Sequence, residues 1–487
     1  MYIAMVASEC APAAKVGGLA DVVHGLAREL QLRGETVEVF LPMYDCMRYE
    51  RISNLAQHWA DLWVPFYESG IHCEVYRGEV DGLNCYFIRP HSREKFFNRG
   101  VYYGHNDDSA RFALFSRAVL EFMYKSGRRP DVIHCHDWQT GLVAPMLFEI
   151  YQPLGMGRSR VCYTLHNVHH QGLTGPQILH QAGLGSHLMS TDKLGDAHHH
   201  GAANLMKGGV VYSNFVTTVS PRYADEIRHT DLGHGLQSTL SAHSGKFGGV
   251  LNGIDYGSWN PEIDSYIPYR YSIDDFSNKY ANKEALRHRL LLQDKFKPIV
   301  CVVSRLDQQK GVQLISHALF HALANRAQFV LLGSGSDRAI NDHFWALKQR
   351  FNDNPDCHLE LSYNEELSHL IYAGSDMIVI PSAFEPCGLT QIISMKYGTV
   401  PVVRATGGLA DTVVDANYGH KRYEERTGFT FDDFTEAGLE SALGRAIGLW
   451  YKYPRYFNQL AINGMRQDYS WNKSGGDYIN IYHHISS

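Results

Sequence analysis

Tyr2-Ile3-Ala4-Met5-Val6-Ala7, followed at Lys15-Val16-Gly17-Gly18-Leu19-Ala20-Asp21 by two glycines and then by an apolar helical stripe to Leu32, decides the fold. A short apolar run reads as a buried strand, and a stripe of period 3.6 ending near Gly34 reads as a helix with a glycine stop. Strand, glycine loop and helix make the opening unit of a doubly wound α/β domain. Two glycines let a ligand approach the backbone closely, and the helix N-terminus beyond them offers N–H groups to an anion. Lys15 adds a point charge for a phosphate. The loop is neither a Walker loop nor G-x-G-x-x-G, and the same glycines also suit a tight turn.

The pattern repeats outward. Val37–Leu41, Val132–His134 and Val161–Thr164 read as further buried strands, Phe112–Tyr124 as a helix, and Val216–Val219 as a strand running into a helix at Ser220-Pro221. From Trp259 to Phe276 the chain is rich in Pro, Tyr and Asp without a clear period, which predicts a connecting segment. After Pro298 a second series begins with Ile299–Val303, Phe329–Leu332, Met377–Ile380 and Val400–Val403. Two Rossmann-like domains follow, 1–255 and 256–455, with a helical, aromatic stretch over 456–487 that need not belong to the second half. No solenoid repeat is present.

Bulk composition narrows the function. The 487 residues are 44% hydrophobic and 20% charged, an ordinary globular balance. A formal net charge of -6 gives no reason to expect nucleic acid or an anionic membrane as partner, and no apolar run reaches spanning length. Nine cysteines, without zinc-type pairing and with no secretory segment before them, fit free thiols in a reducing cytoplasm.

Three further segments carry chemistry. Ser304-Arg305-Leu306-Asp307-Gln308-Gln309-Lys310-Gly311 follows a strand end, where open α/β sheets bind ligands; a guanidinium fork and a compact ammonium there suit a diphosphate, though a solvated basic loop has the same composition. Phe384-Glu385-Pro386-Cys387-Gly388-Leu389-Thr390-Gln391 follows another strand and opens a helix. Glu385 suits sugar hydroxyls and the N–H groups after Pro386 suit a phosphate, while a first-turn acid also simply complements the helix dipole. His134-Cys135-His136-Asp137-Trp138 and His166-Asn167-Val168-His169-His170 raise a metal site, but at strand ends successive side chains alternate rather than converge, which favours sugar hydrogen bonding. His198–His200 reads as a loop.

Taken in order, K-V-G-G-L-A-D-V, H-x-H-D-W, H-N-x-x-x-Q-G, L-N-G-I-D, V-S-R-L-x-x-Q-K-G, E-P-C-G-L-T-Q and T-G-G-L-x-D-T-V resemble the motif series of bacterial glycogen synthases and plant starch synthases over nearly the whole chain. K-V-G-G and L-P-M-Y-D-C-M are similar to the starch synthase III/IV-like branch, implying a cyanobacterial or related enzyme, cytoplasmic, or stromal in a plant-type lineage. The resemblance implies a GT-B fold, two Rossmann-like domains facing across a cleft, with a C-terminal helix returning to the first domain. It implies transfer of glucose from ADP-glucose, with UDP-glucose as the alternative donor, to the non-reducing end of an α-1,4-glucan, with retention and with neither metal nor other cofactor.

By the same resemblance, Lys15 and Gly18, with Gly17 and Asp21 beside them, face the diphosphate and glucose. Asp137, His166 and Asn167 meet the glucosyl group. Arg305 and Lys310 hold the distal phosphate. Glu385 and the backbone at Cys387, Gly388, Leu389 and Thr390 grip the sugar, Tyr363 stacks on adenine, and Asn252 and Tyr103 lie on the cleft and acceptor side. His170 departs from the Tyr usual in the family, which bears on the acceptor pocket. Sucrose-phosphate and trehalose-type synthases share the fold but carry a second Glu eight positions after the first, here Ile393. A glucan-binding initiation protein without catalysis would lack part of the charged set, and Lys15, His166, Arg305, Lys310 and Glu385 are all present.

Overall fold

A computed structural model describes residues 1–487. The chain divides into two compact units, Met1–Gly253 with Trp471–Ser487, and Ile254–Ser470. No helix is long and apolar enough to cross a membrane.

The first unit is built on Tyr2–Val6, whose Ile3 to Val6 are fully buried because the strand is covered on both faces. It pairs in parallel with Thr36–Pro42 on one side and Val132–His136 on the other. Beyond Val132–His136 come Arg160–Leu165, Phe215–Thr218 and Phe247–Gly249, all parallel. The first strand is thus a topological switch point, and the loop leaving it, which holds Glu9 to Gly18, sits where doubly wound sheets bind ligands.

The other flank differs from a plain doubly wound sheet. Leu83–Pro90 pairs in parallel with Thr36–Pro42, but Ile71–Val80 and Ser53–Val64 add on antiparallel, giving nine strands in all. Ile71–Val80 alternates buried and open positions, and Val80 pairs with Leu83 across Asp81-Gly82, both at positive φ (48° and 80°). That is the two-residue primed turn favoured by Asp-Gly.

The second unit holds six parallel strands centred on Ile299–Val303, with Gln328–Leu332 on one side and Met377–Ile380 on the other. Alternate residues serve opposite cores: Val300 and Val302 pack in one apolar cluster, Ile299 and Cys301 in the other. Ile299–Val303 is again a switch point, and it runs into Ser304–Gly311. The interval between Gly249 and Ser277 has no helix or regular strand.

The C-terminus corrects the expected division. Pro454–Arg466 is a helix of the second unit, and the return begins only at Trp471. The helix Trp471–Ser486 lies against Gly18–Leu32, where a Cβ on Gly25 would stand 2.0 Å from the Trp471 ring. Tyr478 and Tyr482 are fully buried in the first unit.

Candidate active site

In the first unit the loop of Lys15 to Asp21 is organised by a residue the sequence reading passed over. Glu9 accepts the N–H groups of Val16 (2.6 Å) and Gly17 (3.1 Å) and the hydroxyl of Tyr103 (2.6 Å), which also contacts Ser8 Oγ at 2.8 Å. These two N–H groups are thus held by Glu9, while those of the helix start at Gly18, the ones expected to face an anion, lie beyond them. Gly17 is extended (φ -144°), and a Cβ there would meet nothing within 4 Å, so open space rather than backbone strain surrounds it. Lys15 pairs with Asp21 at 2.8 Å, both well exposed. Burial pushes the Glu9 carboxyl above its ordinary range.

The histidines do converge, which corrects the expectation drawn from strand alternation. His134 and His136 are two positions apart and so share one face, with Cys135 on the other. Their rings stack at 4.3 Å, and His136 Nδ1 lies 3.0 Å from His166 Nε2 at the end of the adjacent strand. His134 is held at both nitrogens, by Thr164 Oγ1 and by Tyr482 OH, each at 2.6 Å. Burial holds His134 and His166 down at about 3 and His136 well below its ordinary value, so all three rings are neutral near pH 7.

Asp137 completes this array in a conformation that L residues rarely adopt (φ 56°, ψ -176°). Its Oδ1 accepts the backbone N–H of His166 at 2.7 Å and of Asn167 at 3.4 Å. Burial raises its carboxyl to about 7. Asn167 turns its own Oδ1 onto the His169 N–H. Asn252 is buried, with Oδ1 lacking any partner. No group of three or more His, Cys, Asp or Glu side chains is arranged to share a metal ion. A polar cavity of about 780 Å³ also opens in this unit, lined among others by Trp138, His170, Gln171 and His234. His198 and His199 lie on its rim in a loop turned around Asp196, as their sequence suggests.

In the second unit Lys310 and Glu385 meet directly, at 2.6 Å, with the Glu385 side chain only 7% exposed. Ser382 Oγ donates to the same carboxylate oxygen at 2.9 Å. Asp307 accepts the N–H of Lys310 and shapes the turn, and Gly311 (φ 73°) closes it beneath Pro381 O, 2.2 Å from where a Cβ would stand. Ser304, Lys310, Glu385, Gly388 and Thr390 line one small cavity of about 10 Å³. Arg305 and Tyr363 do not line it: Arg305 is 67% exposed beside Asp307 (3.3 Å), and Tyr363 is 76% exposed. Cys387 is buried, and no side chain caps the helix Thr390–Lys396 at Leu389.

The T-G-G-L motif is explained here as well. A Cβ on Gly407 would lie 1.8 Å from Glu385 O, and one on Gly408 1.9 Å from Cys387 O. Gly408 also donates its N–H to Glu385 O at 3.1 Å. These glycines let one backbone brace the Glu385–Gly388 turn from behind. The arrangement amounts to two chemistries: neutral, desolvated donors and acceptors in the first unit, and ion-paired cations in the second.

Comparison with known proteins covers both units. Residues 2–242 match the family described as starch synthase catalytic domain, and residues 283–458 match glycosyl transferases group 1. The chain is 61% identical to glycogen synthase 1 of Nitrosococcus oceani, covering 100% of this chain and 99% of that one. It is 60% identical to glycogen synthase 2 of Methylococcus capsulatus, covering 99% of each. Among solved structures, the catalytic domain of Arabidopsis thaliana starch synthase IV, bound to ADP and acarbose, superposes with a TM-score of 0.95 at 43% identity, covering 100% and 99%.

Proposed function

The chain belongs to the glycogen and starch synthase family, with the GT-B fold, and we propose that it takes its glucose from ADP-glucose and adds it, with retention, to the non-reducing end of an α-1,4-glucan. Glucosyl transfer from a nucleotide-sugar to a glucan is the activity of the family; the nucleotide and the residue roles are our reading. The observation that carries it is the Lys310–Glu385 pair at the end of the switch-point strand. One ammonium N–H is spent on Glu385, and two remain to hold the oxygens of a departing diphosphate.

In this reading Lys310 and Arg305 meet the charge that grows on the distal phosphate as the glycosidic bond breaks. Lys15 and the N–H groups at Gly18 add to it, and no step calls for a divalent ion. Glu385, fixed by Lys310 and Ser382, accepts from sugar hydroxyls, and the backbone from Cys387 to Thr390 supplies donors. Asp137, His166 and Asn167 address the glucosyl group. No side chain is placed as an obvious nucleophile, so a front-face course fits best, the leaving phosphate taking the acceptor proton. The exposed ring of Tyr363 suits stacking on a base, and a relative solved with ADP supports adenine there. Tyr103 acts through Glu9 on the Lys15 loop, Asp21 through Lys15, and Asn252 offers its unpartnered oxygen to the substrate side. The cavity beside Trp138 and His170 suits a neutral polyol, and we place the acceptor glucan there. Nine free thiols, eight of them buried, fit a cytoplasmic setting.

Comparing kcat/KM for ADP-glucose and UDP-glucose with glycogen as acceptor tests the reading. ADP-glucose is expected to lead by tenfold or more, on the order of 1.4 kcal/mol of differential recognition. Equal use of both, or a UDP-glucose preference, overturns the assignment of the base site.

A further inference from the structure

A neutral imidazole has one N–H and one lone pair, so in a chain of hydrogen-bonded rings each proton's place follows from its neighbours. His136 Nδ1 and His166 Nε2, 3.0 Å apart, need one donor and one acceptor between them. The decision falls at the far side of His136. Its Nε2 is buried and has no partner. A proton placed there would be an orphaned buried N–H, which folded proteins avoid more strictly than an unused lone pair. The proton therefore sits on Nδ1 and points at His166.

His166 receives that hydrogen bond at Nε2, so its own proton is on Nδ1, the ring nitrogen for which the structure provides no protein partner. We propose that His136 is a positioning residue that locks His166 as the Nδ1–H tautomer, so that His166 offers the substrate a hydrogen-bond donor and never a base. The proposal rests on His166 meeting the glucosyl group. It goes further by stating which way the proton faces and what sets it.

The rest of the array reads as support for this lock. His134 stacks on His136 at 4.3 Å and is itself clamped at both nitrogens by Thr164 and Tyr482, so the His136 ring has a fixed plane to lie against. Thr164 is further tied to Thr217 at 2.6 Å. Asp137 grips the backbone N–H of His166 and fixes the other end of the same residue. Tyr482 belongs to the C-terminal helix, so that returning helix supplies one side of the clamp.

Selective ¹⁵N labelling of histidine rings, with His166 assigned by the signal lost in His166→Asn, reads the tautomer directly and without substrate. Wild type is expected to show a protonated, pyrrole-type Nδ1 and a bare Nε2 on His166. His136→Asn, whose side-chain amide keeps an N–H near the place of Nδ1, should preserve that pattern; His136→Leu should lose it. In kinetics, His136→Leu should lower kcat about tenfold or more with donor KM little changed, and His136→Asn should recover most of the loss. A bare Nδ1 on wild-type His166 overturns the proposal whatever the activity. So does a His136→Leu enzyme with wild-type kcat, or an equal loss in the Asn and Leu variants, which would mark His136 as packing only. If the tautomer is as stated but His166→Asn transfers glucose at the wild-type rate, the tautomer stands and the glucosyl contact fails.

Discussion

The candidate residues of the two units have opposite chemistries. In the first unit, His134, His136 and His166 are kept neutral by burial, and in the proposed reading His166 alone meets the sugar, through a hydrogen bond whose direction the other two rings fix. In the second, Lys310 is ion-paired with a buried carboxylate and Arg305 is 67% exposed, which in the proposed reading suits a diphosphate whose charge changes during the reaction. A sugar needs orientation, and a leaving group needs charge. Disturbing the first half should therefore register in proton linkage and tautomer, and disturbing the second in the barrier itself.

The largest effect is expected at Lys310. Lys310→Ala should lower kcat about a hundredfold, roughly 3 kcal/mol, as for loss of one preorganised donor to a developing anion. It should also lower stability, because Glu385 is left buried with only Ser382 as partner. Pairing it with Glu385→Gln separates the two: thermal melting should recover while kcat stays low. Recovery of kcat in the double variant would place Lys310 in the role of holding Glu385 alone and would erase the contrast between the units.

Acid should act next, and on the first unit before the second. His134 and His166 titrate near 6.5 when unfolded and near 3 when folded, so below pH 6.5 the unfolded chain binds more protons and stability falls. Each such ring is worth at most about 1.4 kcal/mol per pH unit. His136, His58, His170, His234 and His243 shift the same way. Asp137, raised to about 7, and Glu9, also raised, oppose them, since there the folded chain binds more protons as pH falls. The imidazoles outnumber the carboxyls, so a net loss of about 2 kcal/mol from pH 7 to pH 5 is expected in the first unit. In the second, only the half-buried His321 and His358 shift down in this window, and Asp264, Glu360 and Asp415 are held below their ordinary range, which puts their loss at lower pH. Hydrogen exchange corrected for intrinsic pH dependence resolves the two units; Asp137→Asn should steepen the fall in the first. Equal loss in both, or a gain in the first, would contradict the neutral-histidine account.

How far the sequence foretold this depends on whether the information was local. Strand, glycine loop and helix are local, and both switch-point loops were legible from them. The antiparallel flank was legible in principle too, through Asp81-Gly82 between alternating runs, but its period of two was overlooked. Glu9 had no local signal: it lies in the first strand's exit loop, and its role depends on Tyr103, nearly a hundred residues on. Tyr482 could not be linked to His134 without the return of the C-terminal helix. The reading of the histidines failed for a simple reason of geometry. Alternation separates neighbours i and i+1 but brings i and i+2 together, and His134 and His136 are the second kind.

The smallest effect is expected at Asp21, and it sets the floor for the comparison between ion pairs. Lys15–Asp21 has the same kind of contact as Lys310–Glu385, 2.8 Å against 2.6 Å, yet its side chains are 45% and 39% exposed. Water screens both charges in the folded and unfolded chain alike, so such a pair is worth about 0–1 kcal/mol. Asn at this position keeps an oxygen to accept from Lys15 and a side chain of the same shape, and the first turn of the helix loses only a modest dipole interaction. Asp21→Asn should therefore change unfolding free energy by less than about 1 kcal/mol, and the difference should shrink further in 1 M salt, where charges are screened within roughly 3 Å. Glu385→Gln, measured beside it, should cost clearly more, because Lys310, only 19% exposed, then loses its carboxylate partner. Were Asp21→Asn to cost as much as Glu385→Gln, exposure would not be what distinguishes the two pairs, and the second unit's cation would lose its claim to a special environment.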